Sequence, residues 1–103
     1  RQGPDGRRPV GVALDEPLPS GVGVGDRVDV WVAMPAEGGR GHADPARLAE
    51  ALEISEVAAE QNGFGGSGIT RVQLLAPEET LPRIVDAKVK DARVTLVPAH
   101  GVR

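Results

Sequence analysis

Residues 27 to 34 constrain the fold of this chain more than any other segment, because two kinds of side chain alternate along them. Valine takes every second position and charged or aromatic residues stand between; the two sets are Val28, Val30 and Val32, and Arg27, Asp29 and Trp31. Successive side chains of a β-strand point to opposite faces. The pattern therefore predicts a strand with one valine face in an apolar core.

A glycine–aspartate turn leads into this strand. Aspartate side chains commonly bind the backbone of a turn, and residues two apart on a strand share a face where they can pair with a neighbouring strand. We therefore predict a structural role for this motif rather than contact with a ligand. Its residues are Gly25, Asp26, Arg27, Val28, Asp29 and Val30.

Three further segments show the alternation of a strand: Val10 to Leu14, Ile69 to Leu75 and Arg93 to Val97. Stretches rich in glycine, proline and polar residues separate the predicted elements, and we expect loops there, the second of them exposed and mobile. These loops are residues 15–25, 35–45 and 62–68. A chain of 103 residues has room for one domain.

One helix is predicted at residues 77–90. Pro77 suits a first helical position, acidic residues follow it, and lysines stand in the last turn, as the helix dipole favours. Pro82 is tolerated within the first turns at some cost. We expect the apolar positions to pack on the sheet while Arg83, Asp86 and Lys90 face water. The apolar positions are Leu81, Ile84, Val85 and Val89.

Residues 46–61 are ambiguous. Leu48, Leu52 and the alanines around them suit a helix, which local propensity favours. Leu52, Ile54 and Val57 equally suit a strand.

Composition excludes several classes of function. Trp31 and Phe64 are the only aromatic residues and the net charge is −3, so a nucleic-acid partner is not expected. Without cysteine there is no disulfide, thiolate metal site or thiol nucleophile. The one basic cluster, Arg1, Arg7 and Arg8, lies among glycine and proline. We expect a disordered linker at residues 1–8, a β-rich domain at 9–98 and a tail at 99–103.

No run of about 18 apolar residues is present, and no apolar segment follows the basic start. The chain begins with Arg1 rather than methionine. We therefore expect it to be part of a longer protein that carries any anchor or export signal elsewhere.

The candidate sites for chemistry are weak. The segment Gly63 to Gly68 matches a phosphate-binding glycine pattern but precedes a strand rather than a helix, as does Gly21 to Gly25. His42 and Asp44 lack a third metal ligand, and His100 lies near the C-terminus. The remaining candidates have no partners at catalytic spacing: the pairs Asp15/Glu16 and Glu78/Glu79, and Ser20, Ser55 and Ser67. We expect the protein to have no enzymatic activity and to bind no cofactor and no metal.

The segment VGVALDEPLPSGVGVGDRVDVWVAMP resembles the start of the C-terminal domain of the Flp pilus assembly protein family CpaB/RcpC. The hexapeptide Gly25 to Val30 and the Ala76-Pro77-Glu78-Glu79 run carry the resemblance, which extends in pattern over residues 9–98. In that family the domain follows a SAF domain and a membrane anchor. The resemblance implies a strand at residues 53–59 and an exported, anchored protein of the cell envelope.

The predicted fold is α+β and mainly β: a small, partly closed, barrel-like sheet of about five short strands with one helix. The predicted function is that of a non-catalytic assembly or scaffold domain that binds other envelope or pilus proteins, with loops 15–25 and 35–45 as its surfaces. Trp31, Arg40 and His42 are the expected interaction residues. The alternative is a carbohydrate- or cell-wall-binding module, for which Trp31 is the one ring available to stack on a sugar.

Overall fold

The computed structural model describes residues 6–60 and 68–99. Within these residues the fold has five strands and one α-helix, in the order β1 (Arg7–Leu14), β2 (Arg27–Ala33), β3 (Ala46–Glu60), β4 (Ile69–Pro77), α1 (Leu81–Val89) and β5 (Arg93–Pro98). Single 3-10 turns stand at Glu37–Gly39 and Glu78–Thr80. The fold is mainly β with one short helix, as the sequence predicts.

All five strands lie in one sheet in the order β1-β4-β3-β2-β5, and every neighbouring pair is antiparallel. The long strand β3 pairs with β2 along Ala46–Glu53 and with β4 along Glu53–Glu60, so the two halves of the sheet are staggered. Four antiparallel steps separate the edge strands, which makes β1 and β5 parallel to each other.

The sheet curls but does not close. Cα atoms of β1 come within 8 Å of Cα atoms of β5, yet within the described residues no ladder joins the two strands. An antiparallel barrel needs an even number of strands, and five leave two edges that run in the same direction. The predicted partial closure therefore takes the form of an open seam between β1 and β5.

The core lies between the inner face of the curled sheet and one side of α1. Val28, Val30 and Val32 are all buried, which confirms the predicted orientation of β2. Every strand and the helix contribute to this one cluster, whose buried members are Val12, Leu14, Val28, Val30, Val32, Ala49, Leu52, Ile54, Val72, Leu74, Ala76, Ile84, Ala87 and Leu96.

Two boundaries differ from the sequence prediction at the ends of β1 and β3. Arg7 and Arg8, assigned to a linker, belong to β1 and pair with Pro77 and Ala76 of β4. Residues 46–52, for which propensity favours a helix, belong to β3. Pairing of this segment with β2 at Ala46, Arg47, Ala49 and Leu52 outweighs the weak helix preference of its alanines.

Strand β3 contains three register shifts, two against β2 and one against β4. Each shift sets two or more residues of β3 against fewer residues of its partner, as in a β-bulge. Ser55 is the extra residue opposite β4, and its hydroxyl lies 3.2 Å from the carbonyl oxygen and 3.1 Å from the side-chain oxygen of Gln73. The bulges bend β3, which lets the sheet curl around the core.

The helix is shorter than predicted and buries a different face. Pro77 is the last residue of β4, and α1 begins at Leu81 with Pro82 in its first turn, where a proline ring does not disrupt the helix. Thr80, Ile84 and Ala87 are the residues buried here, so the expectation that Val85 and Val89 pack on the sheet is wrong.

Loop 35–45 extends the β2/β3 hairpin instead of being wholly irregular. Its tip forms the 3-10 turn, and Pro35 bridges to His42. The amide of Ala43 donates to the carbonyl of Met34 at 2.7 Å. The predicted loop 62–68 lies outside the described residues except for Gly68, as do residues 1–5 and 100–103.

Candidate functional site

The glycine–aspartate motif begins with a turn that only glycine adopts readily. Gly25 has a φ of 94°, a conformation that strains any residue with a Cβ. Its amide donates to the carbonyl of Ile54 at 2.8 Å, and the amide of Ile54 donates to the carbonyl of Asp26 at 2.9 Å. The Asp26 carboxylate accepts a 2.8 Å hydrogen bond from the amide of Gly23. The turn is thus fixed to β3, and Asp26 binds the turn backbone as the sequence predicts.

The side chains of the two charged residues that follow, Arg27 and Asp29, bind the backbone of one residue of β3 from both of its peptide groups. The Asp29 carboxylate accepts a 2.9 Å hydrogen bond from the amide of Ala51, and the Arg27 guanidinium donates to the carbonyl of Ala51 at 3.3 Å. Ala51 lies in the bulged region and has a φ of 54°. Arg27 and Asp29 therefore supply, from their side chains, bonds that the interrupted ladder cannot make.

Asp29 is 9% exposed and has a second partner. The Arg47 guanidinium on β3 lies 3.8 Å from its carboxylate and also binds Glu50 at 2.6 Å. A largely buried carboxylate needs such hydrogen bonds and cations to offset its lost hydration. The most distinctive motif of the sequence is thus used to build the sheet.

The three residues expected to form an interaction surface are not brought together. Trp31 is half-buried on β2, between Thr95 of β5 and Arg47 of β3. Arg40 and His42 are exposed in the β2/β3 loop. Of the three, His42 alone lines the cleft at the open seam.

This seam cleft, with a volume of about 290 Å³, lies where the end of β1 meets the start of β5. Its walls come from β1, the β2/β3 loop, the end of α1 and the start of β5. Asp15 and Arg93 face each other across it, with 4.0 Å between a carboxylate oxygen and a guanidinium nitrogen. The lining residues are Val12, Ala13, Asp15, His42, Lys88, Asp91, Ala92, Arg93 and Val94.

The seam cleft presents both signs of charge around a small apolar floor. Asp15 and Asp91 are acidic, Lys88 and Arg93 are basic, and His42 also lines the cleft. In the described part of the chain, no three histidine, aspartate or glutamate side chains gather as a metal site would require. The arrangement suits recognition of a polar surface that also carries both charges.

Sequence reasoning singled out Asp15 and His42 but missed the basic and acidic residues opposite them. The sequence position of Lys88 fits a helix-terminal charge, and no motif marks Asp91 or Arg93 as site residues. A turn must follow the helix, and Asp91 lies in that turn with a φ of 61°. The expected turn is the sequence signal that could have identified Asp91. No local pattern brings Arg93 to Asp15, because only the curl of the sheet does so.

The other sequence candidates have structural roles or lie elsewhere. Glu78 binds Arg8 of β1 at 3.4 Å, which ties the start of the 3-10 turn to the sheet edge. Ser55 occupies a bulge, and Ser20 lies in the loop before the motif. His100 and Ser67 are outside the described residues.

Comparisons of this chain with protein-family models, with curated proteins and with solved structures find no match. The resemblance to the CpaB/RcpC family rests on the sequence motifs. Across the described residues, no helix has the length and apolar character needed to cross a bilayer.

Proposed function

We propose that this chain is a non-catalytic assembly domain of an exported, membrane-anchored cell-envelope protein of the Flp pilus or secretion-system type, and that it acts by binding other envelope proteins. One observation carries the proposal. The two loops that the sequence marks as binding surfaces meet at the seam cleft, to which the first contributes Asp15 and the second His42.

The distribution of charge supports a binding role. Asp26, Arg27 and Asp29 each form a hydrogen bond to the backbone of this chain. The seam cleft, by contrast, is lined by exposed charged residues of both signs from four separate segments. Complementary charges across an interface set its register and its rate of association, so this cleft suits a protein partner with an opposed pattern.

The envelope location is supported by the motif resemblance alone. Gly25 to Val30 match the family hexapeptide in full, and Ala76 to Glu79 match the start of the family helix. The proposal follows the family in placing an anchor and a SAF domain before this segment. A fusion of the full-length protein to a reporter enzyme that is active only outside the cytoplasm tests this location, and an inactive, stable fusion would contradict it.

Photo-crosslinking in the native cell tests the binding role. A photoreactive amino acid in place of His42 or Asp15 should give discrete adducts with another envelope protein. The matched control is the same amino acid in place of Ala58, which is exposed on the outer face of β3 away from the seam cleft. Adducts of equal yield at all three positions, or none at the seam cleft, would contradict the proposal.

A carbohydrate-binding role is the second candidate, favoured by the partial exposure of Trp31. Sugar rings stack on indoles, and the chain contains one tryptophan, so its fluorescence reports on this position alone. Under the assembly proposal, soluble cell-wall fragments leave that emission unchanged. A saturable shift, together with binding of the same fragments in calorimetry that is lost in Trp31→Leu, would replace the assembly proposal with the carbohydrate one.

A further inference from the structure

The outer side of α1 carries apolar residues that nothing in the described fold covers. Val85 is 48% exposed and Val89 is 79% exposed, and Pro82 before them is exposed as well. The spacing of three and then four residues places them in one row along the helix. We call Pro82, Val85 and Val89 the apolar row of α1.

A row of charges runs beside the apolar row. Glu79 in the 3-10 turn before α1, Arg83 and Asp86 within α1, and Lys90 at its C-terminal end are all exposed. The spacing of three and four residues from Arg83 to Asp86 to Lys90 again keeps these three on one side of the helix. Lys90 and Asp86 already pair within the helix at 3.2 Å. Along the chain the signs read minus, plus, minus, plus, and we call these residues the charged row.

We propose that the occupant of this surface is a second copy of the same chain, with its α1 packed antiparallel against the first about a two-fold axis near Val85. In that arrangement Val85 meets Val85 of the other copy, and Pro82 meets Val89. Burial of the two apolar rows supplies the attraction.

The order of charges selects the antiparallel arrangement. When the charged row is reversed, Glu79 lies opposite Lys90 of the other copy and Arg83 lies opposite Asp86, so every opposed pair has unlike signs. In a parallel pair, each charged residue would lie opposite the same residue of the other copy, so every opposed pair would have like signs. The centre of the charged row falls within one residue of Val85, so the charged and apolar rows agree on a single alignment.

The contact is small, because α1 has nine residues and stable interfaces bury about 1,200–2,000 Å². Self-association should therefore be weak, with a dissociation constant on the order of 0.1–1 mM. Contacts of this strength become effective when copies are held close together in an assembly.

The inference does not depend on the proposed function. None of the residues of the apolar and charged rows lines the seam cleft. Loss of self-association would leave the His42 crosslinks unaffected, and absence of those crosslinks would leave the dimer measurement unaffected.

Sedimentation equilibrium of the 103-residue chain from about 10 μM to about 2 mM tests the proposal. A concentration-dependent monomer–dimer equilibrium is expected, and Val85→Asp and Val89→Asp should abolish it. The matched control is Val24→Asp, since Val24 is 65% exposed in the loop before β2, and this variant should associate like the original. A strictly monomeric chain, or equal loss in the control, overturns the proposal.

Charge reversal tests the alignment itself. Glu79→Lys and Lys90→Glu should each weaken self-association about fivefold to tenfold, because each puts like charges at two positions of the symmetric contact. An equimolar mixture of the two variants should regain the original affinity, since all opposed pairs in the mixed dimer again have unlike signs. A mixture as weak as either variant alone overturns the antiparallel alignment, and circular dichroism of each variant shows that α1 is retained.

Discussion

At the scale of single residues, Asp29 shows how a polar side chain on a strand can replace backbone pairing. Its carboxylate takes the place of a carbonyl as acceptor for the amide of Ala51. Arg27 then binds the carbonyl of the same residue. A buried amide left without an acceptor is costly, so the sequence Arg-Val-Asp on β2 and the bulge on β3 are coupled features.

We expect Asp29→Ala to lower the free energy of unfolding by about 1–3 kcal/mol, because the Ala51 amide loses its acceptor and Arg47 keeps only its bond to Glu50. Asp29→Asn should cost less, since the amide oxygen can still accept the bond. Asp44→Ala, at an exposed loop position, is the control and should stay within about 0.5 kcal/mol. Urea denaturation measures all three, and an equal effect of the alanine variants would contradict this role for Asp29.

The sequence predicts buried residues correctly where one residue type recurs at every second position of a strand. The alternation of Val28, Val30 and Val32 identified buried positions, since a slip of one residue would expose all of them. The sequence could not reveal the left-handed conformation of Ala51, because alanine shows no preference for it. That conformation results from the pairing of β2 with β3.

At the scale of secondary-structure elements, β3 explains why part of the fold resisted prediction. Its buried residues Ala49, Leu52 and Ile54 are spaced by three and then two positions. A regular strand has a spacing of two, and a spacing of three is typical of a helix. The bulges insert residues and so erase the period that a sequence reading depends on.

The α1 prediction failed for a related reason. Val85 and Val89 are the apolar residues a pattern search selects, but the helix instead buries Ile84 and the small Ala87. Alanine carries little hydrophobic signal, although it lets a helix lie close to a sheet. The valines are then left for contacts outside the domain.

The bulge of β3 yields a prediction about backbone strain. Ala51 adopts a left-handed conformation that costs a residue with a Cβ about 1 kcal/mol or more. Ala51→Gly should therefore raise the free energy of unfolding by up to about 1 kcal/mol. Ala58→Gly, at an exposed position of the same strand, should lower it by about 0.5–1 kcal/mol. Equal losses in both variants, measured by thermal unfolding, would show that Ala51 is not strained.

Loop 35–45 yields a prediction about the end of the β2/β3 hairpin. Residues 37–44 are all exposed. Their backbone hydrogen bonds are made to Met34 and Ala36, at the base of the loop. Replacement of Glu37 to Asp44 by a short turn should thus keep the domain folded, with a loss below about 2 kcal/mol, because a shorter loop with fewer glycines costs less entropy to close.

The control is thermal unfolding of His42→Ala, which removes the His42 side chain and leaves the loop backbone unchanged. The His42→Ala variant should match the original chain in stability. A loss above about 2 kcal/mol in the shortened variant alone would show that the loop packs on the core, against its exposure.

At the scale of the whole molecule, the strand count determines where an interaction site can form. Because the sheet has five antiparallel strands, its edge strands β1 and β5 run in parallel, and within the described residues no ladder joins them. The seam cleft lies between these two strands. Class and strand number were predictable from the sequence. The cleft was not, since Asp15 and Arg93 stand near opposite ends of the chain and meet only through the curl of the sheet.

The same architecture argues against binding of phosphate groups. A phosphate cradle needs free amides and usually a helix N-terminus. In the loop before β2, the amides of Val22, Gly23, Gly25 and Asp26 all donate to acceptors of this chain. The helix of the described fold begins after two glutamates, Glu78 and Glu79, which repel anions.

Isothermal titration of the chain with ATP, Zn²⁺ and Ca²⁺ should therefore give no heat beyond dilution. Asp15→Ala should behave identically, because its carboxylate pairs with Arg93 across the seam cleft and does not belong to a ligand set. Binding at about micromolar affinity, lost in Asp15→Ala, would place a ligand site in the seam cleft and would replace the non-catalytic assembly role with a ligand-dependent one.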